Sequence, residues 1–213
     1  RGLGDVYKRQ AECIAVCMSS GAVQRGGVPI LPERVRVQAA LAAGADIVIA
    51  LPAPYACATA EQFAAAGVYL LAALGCDTLA FGAETPDAGA LLDAARLLQC
   101  EEIDDVIRKN LATGMTYAAA RAEAADTLRP GTGTLLRTPN NILGIEYCKA
   151  ILAQHTPLTP FALPRLGAAH GGGAGEHAGT PMASASFLRS LPQPDWEPFV
   201  PVSYTHLTLP TNS

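Results

Sequence analysis

The fold is decided by residues 44–84, whose sequence is GADIVIALPAPYACATAEQFAAAGVYLLAALGCDTLAFGAE. Residues 46–51, DIVIAL, form an apolar run rich in β-branched side chains, which is typical of a strand buried on both faces of a parallel sheet. Residues 77–81, DTLAF, predict a second strand. A helix between two such strands would complete a βαβ unit with a right-handed crossover.

The segment between these strands carries the signals of a helix. Thr59, with Gln62 three residues later, matches a capping box, and Gly75 is a typical residue just after a helix. Apolar side chains recur between them at helical spacing, namely Phe63, Val68, Leu70, Leu71 and Leu74. The stretch therefore predicts an α/β fold, in which ligands bind beyond the carboxyl ends of parallel strands.

At the end of the second strand stand Gly82, Ala83 and Glu84. A glycine at a strand end lets a flat ligand approach the backbone closely. A simple turn explains the same glycine, so spacing alone leaves both interpretations open.

Length and composition narrow the class of protein. The chain has 213 residues, of which 50% are hydrophobic, and a net charge of −4, which suits one α/β domain with an appendage. No basic stripe favours DNA binding, and no apolar run favours a membrane span or a signal peptide. Six cysteines lack zinc-ligand spacing and are expected to be small buried side chains in a reducing, cytoplasmic protein without a metal site.

The chain termini differ in character from the rest. Residues 1–10 and 202–213 are unpatterned, and we expect both to be non-native tails. The α/β domain is expected over residues 11–191, followed by a proline-rich extended segment at 192–201.

A glycine-rich loop is predicted at 19–27, after a strand at 12–18. Its backbone N–H groups, with Gln24 and Arg25, could hold an anion, although a plain connection is the default interpretation. A helix is predicted to begin at Pro32 as its first residue and to end at Gly44. Arg25, Arg34 and Arg36 would give this region a positive face, for phosphate or simply for solvent.

Helices are predicted at 86–100, at 101–111 and at 118–128, with a loop at 129–137. Thr138 then predicts a helix N-cap, with Pro139 as the first helical residue. Asn140 and Asn141 fall in the first turn, where amide side chains and free N–H groups can meet a ligand.

The C-terminal third predicts a short strand at 161–165 and a loop at 167–179 that contains His170 and His177. A helix start follows at Ser184 and Ser186, with Arg189 in the same helix. Hydroxyl and N–H groups at that position would suit a phosphate.

These stretches together resemble the tRNA(Met) cytidine acetate ligase family, which belongs to the HIGH-type nucleotidyltransferase superfamily. The resemblance covers about 11–191 and is carried by QRG at 24–26, GADIVIALP, AEQFAAAGVYLLAALG, FGAE, TYAAARAEA, PNNILGIEY, Pro164-Arg165 and SASFLR. PNNILGIEYCKAI is the most specific of these segments.

The resemblance implies a Rossmann-like parallel sheet flanked by helices, and an enzyme that activates acetate with ATP as acetyl-adenylate. The acetyl group would pass to the wobble cytidine of elongator tRNA(Met), and Mg²⁺ would accompany ATP. By motif, the ATP contacts would be Gly82, Asn141 or Asn140, and Arg165. The phosphate contacts would be Ser184, Ser186 and Arg189, with Gln24 and Arg25 as further candidates.

The sequence also departs from the family pattern. The HxGH motif of the family is absent from the 213 residues, and RGLGDVYKRQ stands where the resemblance would place it. The C-terminal portion of the family is not matched either. Two alternatives therefore stay open: another nucleotidyltransferase that adenylylates a cofactor, or a catalytically inactive nucleotide-binding fragment.

Overall fold

The computed structural model describes residues 11–24, 27–165, 174–177, 180–183, 185–192, 195 and 199. The chain divides into two compact units. The first comprises residues 1–57 and 166–213, and the second comprises residues 58–165. Both units contain parallel strands together with helices, in agreement with the predicted α/β class.

The elements of the described residues, in chain order, are β1 (Ala15–Ser19), α1 (Glu33–Ala42), β2 (Ile47–Leu51), α2 (Ala53–Ala56), α3 (Ala60–Ala73), β3 (Thr78–Ala83), α4 (Ala88–Leu97), α5 (Glu101–Ala112), α6 (Tyr117–Leu128), α7 (Thr132–Leu135), α8 (Pro139–Ala153), β4 (Thr159–Pro164), β5 (Ala174–His177), β6 (Thr180–Ala183) and α9 (Ala185–Ser190).

In the first unit, β1 and β2 form a parallel ladder in which Ala15 lies opposite Ile47. Helix α1 connects the two strands, with Pro32 as its N-cap rather than its first residue. The chain leaves α1 through Gly44, whose φ of 109° is a left-handed conformation that suits glycine. β1, α1 and β2 therefore form a βαβ unit.

The first unit also corrects two predictions. β2 is not buried on both faces, because Ile47 is 38% exposed and only Leu51 of the strand is fully buried. Part of the predicted loop at 167–179 is strand β5, which pairs antiparallel with β6. Its glycine-rich sequence lacks the apolar alternation that identifies a strand.

In the second unit, β3 and β4 form a parallel ladder from the pair Thr78–Thr159 to the pair Ala83–Pro164. Helices α3 and α4 both pack against α8, and α5 packs against α6. The core side of α8 is apolar and buried, with Ile145, Cys148 and Ile151 among its buried residues. Helix α8 is therefore the central element of this unit.

Gly144 allows α8 to pack closely against β3. A Cβ atom at this position would lie 2.6 Å from Cε2 of Phe81 and 3.3 Å from Cδ1 of Leu91. The Phe81 ring also contacts that of Tyr147, with 5.5 Å between ring centroids. A side chain at Gly144 would therefore force α8 away from the strand.

The βαβ unit predicted for residues 44–84 is not paired as expected. In the described residues β2 pairs with β1, and β3 pairs with β4. The hydrophobic pattern identifies each strand but not its neighbour, and consecutive strands are not always neighbours in a sheet. The helix between them is confirmed, since Thr59 accepts a hydrogen bond from the N–H of Gln62 and Gly75 adopts a φ of 88°.

Three smaller differences concern element bounds and burial. Strand β3 includes Gly82 and Ala83 rather than ending before them. The predicted loop at 129–137 contains the short helix α7. Of the six cysteines only Cys148 is fully buried, and Cys13 and Cys57 are exposed.

Among the described residues, no helix combines the length and the apolar character needed to cross a membrane.

Candidate nucleotide-binding site

The candidate site begins where β3 and β4 end. The two strands are parallel, so their carboxyl ends meet at one edge of the ladder. The pairing continues one residue further, because the N–H of Arg165 donates to the carbonyl oxygen of Ala83 at 3.2 Å. Arg165 therefore lies beside the segment that contains Gly82 and Glu84.

The first turn of α8 lies at the same edge. The N–H of Asn141 donates to Oε2 of Glu84 at 2.9 Å. The side-chain amide of Asn140 donates to Oε1 of Glu84 at 2.6 Å, and the N–H of Asn140 lies 3.4 Å from the same oxygen. The structure thus brings together four residues that the sequence predicted for one site, namely Gly82, Asn140, Asn141 and Arg165.

Glu84 performs the capping role that Thr138 was expected to have. An N-cap threonine normally accepts a hydrogen bond from the N–H two or three residues later. Here the Asn141 N–H is bonded to Glu84, and the buried hydroxyl of Thr138 has no partner among the described residues. A carboxylate at a helix N-terminus also interacts favourably with the helix dipole.

The Asn141 side chain holds the loop that follows β3. Its Oδ1 accepts a hydrogen bond from the N–H of Thr85 at 2.9 Å, and its Nδ2 donates to Oγ1 of Thr85 at 3.1 Å. Asn141 is only 1% exposed. Asn140 is half-buried, so the two neighbouring asparagines have different environments.

Arg165 is close to Glu84 without forming a tight ion pair. Nη1 of Arg165 lies 3.8 Å from Oε1 of Glu84, and the side chains are 34% and 26% exposed. A Cβ atom at Gly82 would meet only Cγ of Arg165, at an ordinary contact distance of 3.7 Å. The surface above Gly82 is therefore open to a ligand.

Hydrogen bonding keeps the Glu84 carboxylate ionised. Partial burial raises its pKa, but the hydrogen bonds from the Asn140 side chain and from the backbone N–H of Asn141 outweigh burial. The net result is a pKa below the ordinary value of 4.5. At neutral pH this group accepts hydrogen bonds and does not donate them.

The remaining predicted site residues belong to the first unit. Gln24 is half-buried in the loop after β1, and Arg189 is exposed on α9. Ser186 also lies within α9. Arg25, Ser184 and His170 lie outside the described residues.

Arg36 has a role in loop structure rather than on a phosphate-binding face. Its guanidinium donates to the carbonyl oxygens of Leu31 at 3.1 Å, of Ser19 at 2.8 Å and of Ser20. These bonds tie α1 to the loop after β1. Arg34 is exposed.

A second polar cluster lies around the middle of α8. Oε1 of Glu146 accepts from Arg121 at 2.6 Å, and its Oε2 accepts from Lys149 at 2.9 Å. Lys149 also donates to Glu61 at 3.0 Å. Burial lowers the pKa of Lys149, but the hydrogen bonds and charges of Glu146 and Glu61 outweigh it and raise this pKa above 10.5. These residues line a cavity of about 320 Å³ together with the exposed ring of Tyr117.

The donor set offers Mg²⁺ little direct coordination. Within the described residues, no three His, Cys, Asp or Glu side chains are grouped as metal ligands. Glu84 is the carboxylate at the strand edge, and its oxygens already accept from Asn140 and Asn141. The described residues at this edge therefore do not form a site that would coordinate Mg²⁺ directly.

Sequence reasoning left Glu84 and Thr85 out of the site, and it missed the ion cluster of Arg121, Glu146 and Lys149 altogether. The signal for Glu84 was available, because an acidic residue that directly follows a strand lies at the ligand-binding edge. The signal for the cluster was a charged pair three residues apart on an otherwise apolar helix.

A family of nucleotidyltransferases matches the sequence of the chain, and a solved structure matches its fold. The sequence model of the HIGH Nucleotidyl Transferase family matches residues 6–210, and the chain belongs to this family. The fold agrees, since the chain is similar to Thermotoga maritima TmcAL in a crystal structure bound with alpha-thio ATP, with a TM-score of 0.80 and 25% identity. This match covers 95% of the chain and 49% of TmcAL, and the apo form of TmcAL gives a TM-score of 0.83.

The curated relatives are more specific. The chain is 43% identical over 166 residues to the tRNA(Met) cytidine acetate ligase of Syntrophotalea carbinolica, covering 75% of the chain and 39% of that protein. It is 39% identical over 181 residues to the ligase of the same name from Geobacillus sp. strain WCH70, covering 84% of the chain and 44% of that protein. The chain thus spans roughly two fifths of the length of these relatives.

Proposed function

We propose that the protein to which these residues belong is an ATP-dependent ligase that acetylates the wobble cytidine of elongator tRNA(Met). The observation that carries the proposal is the cluster of Gly82, Glu84, Asn140 and Arg165 at the carboxyl ends of two parallel strands. Such an edge is the ligand-binding position of α/β sheets. The curated relatives named for this activity and the ATP-analogue complex of TmcAL support the choice of substrates.

The proposed reaction has two steps. A carboxylate oxygen of acetate attacks the α-phosphorus of ATP, the bond to the β-phosphate oxygen breaks, and pyrophosphate leaves. The N4 amine of cytidine then attacks the carbonyl carbon of the acetyl group. The bond between that carbon and the AMP oxygen breaks, AMP leaves, and the amine loses a proton to solvent. Mg²⁺ bound to the phosphates would neutralise part of their charge.

tRNA is a cytoplasmic substrate, and we assign the activity to the cytoplasm.

The chain supplies positioning and electrostatics for the first step. Arg165 would stabilise negative charge on the phosphates through its planar set of N–H donors. Asn140, which is half-buried, would contact the nucleotide directly, whereas the buried Asn141 would hold the loop after β3. The open surface at Gly82 would accept the flat part of the nucleotide.

The test is acetylation of tRNA by the product of the complete reading frame that contains these residues. Labelled acetate, ATP and elongator tRNA(Met) should yield acetylated cytidine, and a transcript with uridine at the wobble position should not be labelled. Arg165→Lys should reduce activity strongly, while Arg108→Lys, at an exposed ion pair, should not. Adenylylation of a small cofactor in place of tRNA acetylation would overturn the proposal.

A further inference from the structure

We propose that Glu84 determines nucleotide specificity, because its carboxylate accepts a hydrogen bond from a hydroxyl or amino group of the nucleoside and keeps phosphate away from the start of α8. This inference rests on the proposed function, since it concerns how the same site orients ATP. It adds a residue whose role is selection rather than charge stabilisation.

The first argument is that a further hydrogen-bond donor can reach the Glu84 carboxylate. A carboxylate offers about four acceptor positions on its two oxygens. Oε1 of Glu84 takes both contacts from Asn140, Oε2 takes the Asn141 N–H, and the backbone N–H of Glu84 itself also bonds to the carboxylate. The side chain is 26% exposed, so solvent or a ligand can reach it. The Asn140 N–H contact of 3.4 Å is longer than an ordinary hydrogen bond, so a nucleoside donor that reaches Oε1 can take its position.

The second argument is the open surface beside that acceptor. Along β3, Leu79, Phe81 and Ala83 are buried, while Gly82 between them is exposed. Glu84 directly follows the strand and is exposed as well, so an accessible carboxylate stands two residues from Gly82. The missing side chain at Gly82 leaves room for a sugar or a base next to the carboxylate.

The third argument is that the Glu84 carboxylate occupies the position at the start of α8 where a phosphate would otherwise bind. The first turn of a long helix, with free N–H groups, is an attractive position for a phosphate. Here the N–H of Asn141 is already bonded to the carboxylate of Glu84, which carries the same sign of charge as a phosphate. The start of α8 therefore repels phosphate and favours the hydrogen-bond donors of the nucleoside. Arg165 remains the phosphate partner, because its contact with Glu84 is 3.8 Å long.

Titration calorimetry with nucleotide analogues tests the proposal and distinguishes the two donor sources. The ligands are ATP, 2′-deoxy-ATP, 3′-deoxy-ATP, inosine triphosphate and inorganic tripolyphosphate. One of the three nucleoside changes should weaken binding to the wild-type protein about tenfold, since it removes a hydrogen bond to a charged acceptor. A sugar analogue would identify a hydroxyl donor, and inosine triphosphate would identify the adenine amine.

Glu84→Gln should weaken ATP binding by a similar factor and abolish the difference between ATP and that analogue. It should strengthen tripolyphosphate binding, because the negative charge that repels phosphate is removed, whereas Arg165→Lys should weaken tripolyphosphate and ATP alike. Asp105→Asn, at an exposed ion pair away from the site, is the matched control and should alter none of these affinities. Because Glu84 also caps α8, Glu84→Asp serves as a second variant, in which the shortened carboxylate should lose the same discrimination.

The results separate two failures. If wild-type protein binds all three analogues as tightly as ATP, or if both Glu84 variants keep the wild-type discrimination, the role assigned to Glu84 is wrong while the proposed function stands. If wild-type protein binds neither ATP nor tripolyphosphate, the nucleotide site itself is wrong, and the proposed function fails with it.

Discussion

Glu146 within helix α8 and Glu84 at its N-terminus are both carboxylates, and they differ in how completely nearby cations neutralise their charge. Glu146 lies in the middle of the helix with its side chain 5% exposed, and its oxygens are 2.6 Å from Arg121 and 2.9 Å from Lys149. Glu84 follows β3 and caps the start of the helix with its side chain 26% exposed, and Arg165 lies 3.8 Å from it.

The difference separates a structural carboxylate from a functional candidate. A buried charge is tolerated only when partners and hydrogen bonds compensate it, and Glu146 meets that condition with two cations. Glu84 is held mainly by N–H and amide donors, remains accessible, and lies 3.8 Å from the guanidinium of Arg165. Hence a polar cavity alone does not identify a functional site, since Arg121, Glu146 and Lys149 in the cavity at Glu146 pair with one another.

Loss of the buried charge at Glu146 should have the largest effect on stability. Glu146→Gln would leave Arg121 and Lys149, which are 16% and 17% exposed, without their shared carboxylate. We expect the free energy of unfolding to fall by about 3 kcal/mol, measured by urea denaturation. Nucleotide affinity should not change, because this cluster is not part of the proposed site.

A combined variant sharpens this prediction. Replacing all three charges with apolar residues, as Arg121→Met, Glu146→Leu and Lys149→Met, should recover most of the lost stability. A triple variant less stable than Glu146→Gln would mean that the cluster contributes more than compensation of buried charge.

Gly144→Ala should have the next largest effect, because it displaces the helix that both carboxylates contact. The added Cβ would lie 2.6 Å from the Phe81 ring, so the helix or the ring must move. Overpacking of this kind costs about 1–3 kcal/mol. Gly67→Ala on α3, where a Cβ meets no atom within 4 Å, is the matched control and should not destabilise the protein. Equal stability of the two variants would contradict the close packing of α8 on β3.

The pH dependence of stability should distinguish Glu84 from Lys149 of the other cluster. The pKa of Glu84 is lowered in the folded protein, so its contribution is present above the unfolded value near 4.5 and is lost as the pH falls through the folded pKa. The pKa of Lys149 is raised, so its contribution is present below 10.5 and is lost as the pH rises through the folded pKa.

Glu84→Gln should therefore reduce stability at neutral pH by about 0.5–1 kcal/mol, a small value for a partly exposed helix cap, and should flatten the acid limb of the stability profile. Lys149→Met should flatten the alkaline limb instead. Thermal melts between acid and alkaline pH measure both. An unchanged acid limb in Glu84→Gln would contradict the hydrogen-bond pattern around this carboxylate.

Alkylation of cysteines tests the burial of α8 in the wild-type protein, without any change in stability. Burial raises the pKa of Cys148 to about 12, so its thiolate is scarce at neutral pH. Cys13 and Cys57 are exposed. In the folded protein an alkylating reagent should modify Cys13 and Cys57 rapidly and Cys148 only after unfolding, as measured by peptide mass spectrometry. Rapid modification of Cys148 would mean that α8 does not form the core of its unit.

The sequence predicted individual elements better than their pairing. The capping box at Thr59 and the helix that begins at Pro139 are local signals, and the structure contains both of these helices. Strand neighbours depend on contacts between distant residues, so β2 and β3 were identified as strands but were paired with each other instead of with β1 and β4.

The candidate site shows the same limit. Glycine, asparagine and arginine motifs located Gly82, Asn140 and Arg165, because their chemistry suits nucleotides. Glu84 received no role although its position after a strand placed it at the ligand-binding edge, and its contact with the start of α8 becomes visible only in the folded structure. The Thr138 hydroxyl was expected to cap the helix, and competition from a distant carboxylate cannot be detected in a local pattern.

Titration of ATP into the wild-type protein and two variants tests the central claim most directly, which is that the strand edge at Glu84 and Arg165 holds the nucleotide. Arg165→Lys and Asn140→Ala should each weaken ATP binding about tenfold, as expected for a lost charge-assisted hydrogen bond. Arg108→Lys, at an exposed ion pair, should bind ATP like the wild-type protein. Wild-type affinity in the combined Arg165→Lys and Asn140→Ala variant would contradict this placement of the site.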